Sequence, residues 1–416
     1  MRVQLWSSNY DPEPQGIAPL SAAVAKGLKS LGHEVSVVAA HPHYPAPAWG
    51  RAFRPYREVR DDVPVLRLPL WFGRDSGRAR IRQDLSFTVS QAVAAVSLDR
   101  PDIILAVSPS MPALSVVMAT SRVRNVPWVM WLQDIVTDGA ATTGQLSDDG
   151  ALLRAARRFE RSTYRSASRV VAISDAFRDN LVGKGVPSDH IVRIFNPTSR
   201  MAEAPNDIAA LADAPATILA MGNIGHSQGL DKIVDAFQGS DELRKAGTRL
   251  LIAGTGVEAD HVASRITSDA VQMPGVFYGD EFVPVLRSAS IGLVSQRPDI
   301  TEFNLPSKLM NYMAWGIPVL ASVDPHSETA RIVRDSGAGW VTDAARPADF
   351  AALASRVVAD RDALAAAGRR GFDYAQQHFS PEAVSRGFER VLADVLNPKR
   401  ALRAFEGVPE VAAPTT

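Results

Sequence analysis

Short apolar runs bounded by turn residues alternate along this chain with longer stretches in which apolar side chains return every three or four positions. The first pattern is that of strands buried on both faces and the second that of helices packed by one side. Their alternation predicts parallel sheets covered by helices. Strands are expected at residues 3–7, 35–40, 65–70, 103–108, 128–132 and 170–174. A second series is expected at 217–221, 249–253, 276–278, 291–294, 319–321 and 339–341. Between the two series, residues 198–215 are rich in Ala, Asp, Asn and Pro and read as a linker. A chain of 416 residues, 46% apolar, is too long for one compact core. The expectation is an α/β protein of two doubly wound parallel-sheet domains. Ligands of such open sheets bind at the carboxyl ends of the strands, here in an interdomain cleft.

Composition narrows the class. No cysteine is present, which excludes a disulfide framework and thiolate metal sites and fits a reducing cytosol. No run approaches the roughly 18–20 apolar residues of a spanning helix, and Met1–Leu5 reads as the start of a strand. A cytoplasmic protein, soluble or peripheral to the inner face of a membrane, is expected. The zero net charge hides an asymmetry: residues 1–200 hold 25 Lys and Arg against 18 Asp and Glu, so the remainder carries the opposite sign. Nine arginines between Arg51 and Arg82 face four acids and are interleaved with Phe53, Tyr56, Trp71 and Phe72. Arginine among aromatics suits a membrane surface or a phospholipid-like substrate better than nucleic acid; a solvated face is the plainer alternative.

Candidate chemistry concentrates after the tenth expected strand. In Asn304–Ala314, Ser307 can cap a helix whose free N–H groups and dipole, with the charge of Lys308, suit a diphosphate. Leu309, Met313 and Ala314 share a packing face, leaving Lys308, Asn311 and Tyr312 for the cleft or solvent. Two glycine-bearing turns open helices elsewhere, one at 9–17 ending in Gly16 and one at 222–231. Strand-to-helix turns need glycine for structural reasons alone, but together with the 306–308 helix start they give three N–H-rich turns that could converge on one anion. His33 reads as structural, and His41 and His43 as an acceptor-side or surface loop. Residues 152–165 read as a basic amphipathic helix with Leu153, Ala156 and Phe159 inward, and Asp360–Asp362 as a solvated face. Nothing has the spacing of a zinc site.

The order of the Gly16 loop, Leu31-Gly32-His33-Glu34-Val35, Gln133-Asp134-Ile135, Arg169–Ser174, Gly222-Asn223-Ile224-Gly225, Gly254-Thr255-Gly256 and Pro306-Ser307-Lys308-Leu309 resembles retaining glycosyltransferases of family 4, with the GT-B fold. Within that family it is most similar to bacterial exopolysaccharide and O-antigen enzymes of the colanic-acid and N-acetylfucosaminyl transferase type, over residues 1 to about 398. The resemblance implies two Rossmann-like domains. Residues 1–197, with a crossover helix near 379–400, would bind the acceptor; 216–378 would bind a nucleotide-sugar donor; 406–416 would be a disordered tail. It implies a UDP, GDP or dTDP sugar as donor and a polyprenyl-diphosphate-linked or other glycan as acceptor. Peripheral membrane contact would run through the first domain, with no cofactor, metal or nucleic acid needed.

By the same resemblance Asp134, Lys308 and Gly16 would be catalytic. Gly222, Asn223, Gly225, Ser227, Gln228, Gly254, Arg297, Pro306, Ser307, Leu309 and Asn311 would bind donor beside Lys308. Tyr10, His43, Arg54, Trp71, Arg74, Arg78 and Arg80 would meet the acceptor or the membrane. The chain departs from the family where Asn223, Ser227 and Gln228 replace basic residues, where Asn311 replaces a ribose-binding carboxylate, and where Val136–Gly139 lacks a proline. Alternatives are transfer to a small soluble metabolite, a nucleotide-sugar epimerase, a non-catalytic binding protein, and an oxidoreductase. The last would be read from Gly254-Thr255-Gly256, whose next glycine position is Ala259.

Overall fold

The computed structural model describes residues 1–44, 49, 53–71, 73, 77–108, 110–135, 151–211, 214–298 and 305–397. The chain forms two compact units, one of Met1–Pro197 with the chain from Val384 onward, the other of Thr198–Ala383.

In the first unit the order is β1 (Arg2–Ser7), α1 (Ile17–Ser30), β2 (Glu34–Ala40), β3 (Tyr56–Arg60), β4 (Val63–Leu68), α2 (Gly77–Ser97), β5 (Ile103–Val107), α3 (Met111–Arg124), β6 (Trp128–Leu132), α4 (Ala151–Ser166), β7 (Arg169–Ala172), α5 (Asp175–Gly183) and β8 (Ile191–Arg193). The strands form one sheet in the order β3-β4-β2-β1-β5-β6-β7-β8. All neighbours are parallel except β3 and β4, and Val3 stands opposite both Val35 and Ile103. Every residue of β5 and β6 is buried, as the apolar runs require.

The second unit contains β9 (Thr217–Met221), α6 (Leu230–Gln238), α7 (Asp241–Lys245), β10 (Arg249–Ala253), α8 (Ala259–Ser264), β11 (Val271–Gly275), α9 (Phe282–Ser288), β12 (Ile291–Ser295), α10 (Ser307–Ala314), β13 (Val319–Val323), α11 (Glu328–Ser336), β14 (Gly339–Asp343), α12 (Pro347–Ala359) and α13 (Arg361–His378). Its sheet is parallel throughout, in the order β11-β10-β9-β12-β13-β14. Strand order reverses between β9 and β12, the switch point at which open sheets bind ligands. The last helix, α14 (Pro381–Leu396), returns its apolar side to the first unit, where Val384, Phe388, Val391 and Leu392 enter the core and Phe388 meets Trp131 edge-on at 4.8 Å.

The structure departs from expectation in several places. The run at 276–278 is not a strand; β11 ends at Gly275, and Tyr278 is exposed. Because β11 is an edge strand, Pro274 is tolerated within it and its own signal is weak. The sequence pattern does not mark β3 or β8; in β3 the charged residues Arg57, Glu58 and Arg60 look like loop. The expected linker packs onto the second unit: Ile208 is in its core, and Asn206 donates to the Leu286 carbonyl and accepts from Arg287. In α4 Phe159 points outward, and Glu160, Thr163 and Tyr164 are buried instead. Asp360 and Asp362 are exposed, as a solvated face requires, and the Asp360 carboxylate also accepts the Ala363 N–H and caps α13.

Candidate active site

At the switch point of the second sheet, two turns are fused by backbone. Gly222 donates its N–H to the Ala253 carbonyl at 2.9 Å and Ile224 to Thr255 at 2.8 Å. A Cβ on Gly254 would collide with the Gly222 carbonyl, and one on Gly256 with that of Ile224, so glycine is required by close approach. The bonds at Gly222 and Ile224 also turn two N–H groups of the 222–229 turn inward, away from any anion.

The cationic part of the site is built across the turn. Lys308 donates from Nζ to Oε1 of Gln228 at 2.6 Å, and Gln228 in turn donates to the Asn223 carbonyl. Arg297, which follows β12, donates its backbone N–H to the Ser227 carbonyl at 2.8 Å, and its guanidinium lies 3.3 Å from Nε2 of His226. Gly229 adopts φ 58° against the Arg297 side chain. Thus Asn223, Gly225, Ser227, Gln228, Arg297 and Lys308, far apart in sequence, form one cluster. His226, 3.4 Å from Glu258, joins them without having been expected.

The α10 start differs by one residue from expectation. Pro306, in extended conformation, occupies the cap position, Ser307 is the first helical residue, and among the described residues no side chain caps the helix. Leu309 is buried, and Asn311 accepts from the Thr198 hydroxyl at 2.8 Å. Tyr312 does not face a cleft or solvent. It is fully buried, its hydroxyl donating to the Leu219 carbonyl at 2.7 Å and accepting the Met221 N–H at 2.9 Å. Burial pushes its pKa well above the usual tyrosine range. Tyr312 thereby ties α10 to the end of β9, the residue before Gly222.

In the first unit, the loops after β1 and β2 meet at Glu13, a residue the sequence did not single out. Its buried carboxylate accepts the N–H groups of His43 at 2.6 Å and Tyr44 at 3.0 Å, and Nδ2 of Asn9 at 2.7 Å. Nδ1 of His43 lies 3.1 Å away. Burial raises the Glu13 pKa, but the His43 bonds and charge, with the Asn9 amide, outweigh it and hold the carboxyl below the usual range. His41 and His43 are therefore interior groups and not a surface loop. Tyr10 is buried too, packed under Arg67, and burial together with the Asp11 charge raises its pKa far above normal. It cannot touch acceptor or membrane where it stands. Gly16, at φ 68°, begins α1 with open space where a Cβ would sit.

Asp134 is exposed just past β6, beside Gln133, whose amide exchanges two hydrogen bonds with Asn196 at 2.8 and 2.9 Å. Of the arginine-rich segment, Arg67 is wholly buried, donating to Glu58 at 2.7 Å and to the carbonyls of Ala40 and Asp11. Arg54 and Trp71 are exposed. Arg74, Asn304, Val136–Gly139 and the 406–416 tail lie outside the described residues, as do the side chains of Arg78 and Arg80. Among the described residues no group of three or more His, Asp or Glu is arranged to hold a metal.

Residues 15–197 match the family model for a glycosyl transferase 4-like domain, and 215–360 the model for glycosyl transferases group 1. An Escherichia coli (strain K12) protein assigned as a colanic acid biosynthesis glycosyl transferase, WcaI, is 26% identical over 352 residues, covering 80% of this chain and 86% of its own. The GDP-mannose-dependent alpha-mannosyltransferase of Mycobacterium tuberculosis (strain CDC 1551 / Oshkosh) is 25% identical over 328 residues, 77% of this chain and 79% of its own. Among solved structures, Anabaena Alr3699/HepE in complex with UDP and glucose matches with a TM-score of 0.64 at 16% identity, covering 95% of this chain and 100% of that one. At that identity the likeness is one of fold.

Proposed function

The chain belongs to the glycosyltransferases that join a glycosyl transferase 4-like domain to a group 1 domain in the GT-B fold, and from that membership we propose a retaining hexosyl transfer from a nucleotide-diphosphate sugar. The acceptor in this reading is a polyprenyl-diphosphate-linked or other glycan in cell-surface polysaccharide synthesis, reached from the inner face of the cytoplasmic membrane. The colanic acid biosynthesis assignment of the Escherichia coli relative supports it. UDP and GDP head the candidate donors, since one solved neighbour holds UDP and one relative is GDP-mannose-dependent; dTDP comes third.

The observation that carries the donor half is the Lys308–Gln228 bridge between the α10 start and the 222–229 turn. A diphosphate would take over the Lys308 ammonium from Gln228 and lie at the positive end of α10, with Arg297 alongside. As the C1–oxygen bond to the diphosphate breaks, the charge gathering on the leaving oxygen would be stabilised by Lys308, without a metal. In this reading the acceptor hydroxyl attacks the same face of C1 and passes its proton to the departing diphosphate oxygen, while Asp134 would orient that hydroxyl. Gly16, with open space where a Cβ would sit, would let a ligand approach the backbone at the start of α1.

The test is thermal stability against UDP, GDP, dTDP, ADP and NAD. A ligand specific to the folded state at about 100 times its dissociation constant adds roughly 2.7 kcal/mol. A shift with one nucleoside diphosphate, abolished or weakened about 10–100-fold by Lys308→Ala, is expected from loss of one charge-assisted contact. A shift with NAD alone, or an unchanged response in Lys308→Ala, overturns the assignment.

A further inference from the structure

Helix α2 presents an apolar face outward. Ile81, Leu85, Val89, Val93 and Val96 are 51% to 82% exposed, while Gln83, Phe87, Gln91, Ala94 and Ala95 on the other side are buried. At about 100° per residue the five exposed side chains fall within an arc of roughly 120°, a continuous stripe. Between Asp84 and Asp99 the helix and its end contain no charged residue. Surface helices that pack by one side carry the reverse pattern, polar outward. Beyond the stripe, Val123 of α3 is also exposed, and a cavity of about 470 Å3 lined by small residues such as Ala92, Ala95 and Ala119 runs between the two helices.

Both ends of the stripe carry cations, and an amphipathic aromatic stands at the first. Arg82 stacks over the ring of exposed Trp71 at 5.2 Å, and the Trp71 N–H is held by the Ser86 hydroxyl at 2.7 Å, so the tryptophan is fixed beside the first turns of α2. At the other end lie exposed Arg122 and Arg100, and Arg124, which donates to the Ala95, Val96 and Leu98 carbonyls. Asp84 and Asp99 are the acids alongside.

From this arrangement we propose that α2 is a membrane-docking helix, seated in the plane of an anionic bilayer with the Ile81–Val96 stripe in the acyl boundary and its flanking arginines among lipid phosphates. Two observations select a bilayer over a second copy of the chain. A single 21-residue helix face offers about 30 Å by 10 Å, roughly 300 Å2, whereas a stable interface buries about 800 Å2 per partner. The cations at both ends would also face their own kind across a two-fold axis, but complement an anionic surface. The purpose of the contact rests on the lipid-linked acceptor proposed above; the contact itself does not.

The experiment is co-sedimentation of the full chain, without donor or acceptor, with vesicles of phosphatidylcholine and phosphatidylglycerol at 7:3 and of phosphatidylcholine alone. The wild-type protein is expected to pellet with the anionic vesicles and to bind the neutral ones more weakly. The exposed-face variant Val89→Glu/Val93→Glu is expected to lose at least tenfold in binding while keeping its melting temperature and nucleotide response. Failure of the wild type to bind anionic vesicles, or unchanged binding by the double variant, overturns the proposal. So does light scattering that finds a dimer in the wild type and a monomer in the variant. Because nucleotide response is read separately, a failed donor assignment and a failed docking assignment give different results.

Discussion

Single side chains in this protein fasten loops that the chain leaves far apart. Tyr312 is the clearest: with the hydroxyl removed in Tyr312→Phe, the Met221 N–H is buried without its partner, and a loss of about 1–3 kcal/mol is expected in chemical denaturation. Its position in a helix with Lys308 and Asn311 suggested a polar role, because a tyrosine's hydroxyl partner is set by tertiary packing that no local pattern encodes. Glu13 acts similarly in the first unit. Its pKa lies below the usual range when folded, so its contribution is full above the ordinary glutamate pKa of about 4.3 and is lost as pH falls through the depressed folded value. Glu13→Gln should therefore be less stable than wild type at pH 7, with the gap closing below about pH 4; melts at the two pH values check this. Arg67 shows the same limit of local reading. Nine arginines in one segment suggested a surface, yet this one is the hub joining β4 to the β1 and β2 loops.

At the scale of elements, what could be read was what depends on burial from both faces. The runs at 128–132, 217–221 and 249–253 are strands with those bounds, since a central parallel strand must be apolar on both sides. Edge strands break that rule, which is why β3 and β11 were missed or misplaced. The packing of α10 on β12 sets a further limit. Gly292 faces the Tyr312 ring so closely that a Cβ would overlap it. Gly292→Ala should cost about 1–3 kcal/mol by overpacking and, by displacing α10, weaken nucleotide binding, whereas an exposed-face change such as Val89→Glu should leave both alone. Calorimetry with and without the preferred nucleotide separates the two effects. The site itself was legible as a set of glycine and lysine positions, but not as the Gln228 bridge, which exists only once two turns are brought together.

The molecule as a whole consists of two units, and its last helix completes the first of them. Phe388 is fully buried against Trp131, so Phe388→Ala should destabilise the first unit by about 3–5 kcal/mol. Hydrogen exchange should show the loss in β6 and its neighbours while β9, β10 and β12 keep their protection. The same connection sets a timetable for synthesis. The first sheet's final strand ends at Arg193, but the residues that close its core begin at Val384. At roughly 5–20 residues per second, the ribosome needs about 10–40 s to deliver them. Throughout that interval Trp131 and its neighbours lack their cover while the whole second unit is being made. Nascent chains arrested near residue 200 should thus engage chaperones that full-length chains release, and moving the helix by circular permutation to precede β1 should shorten that dependence.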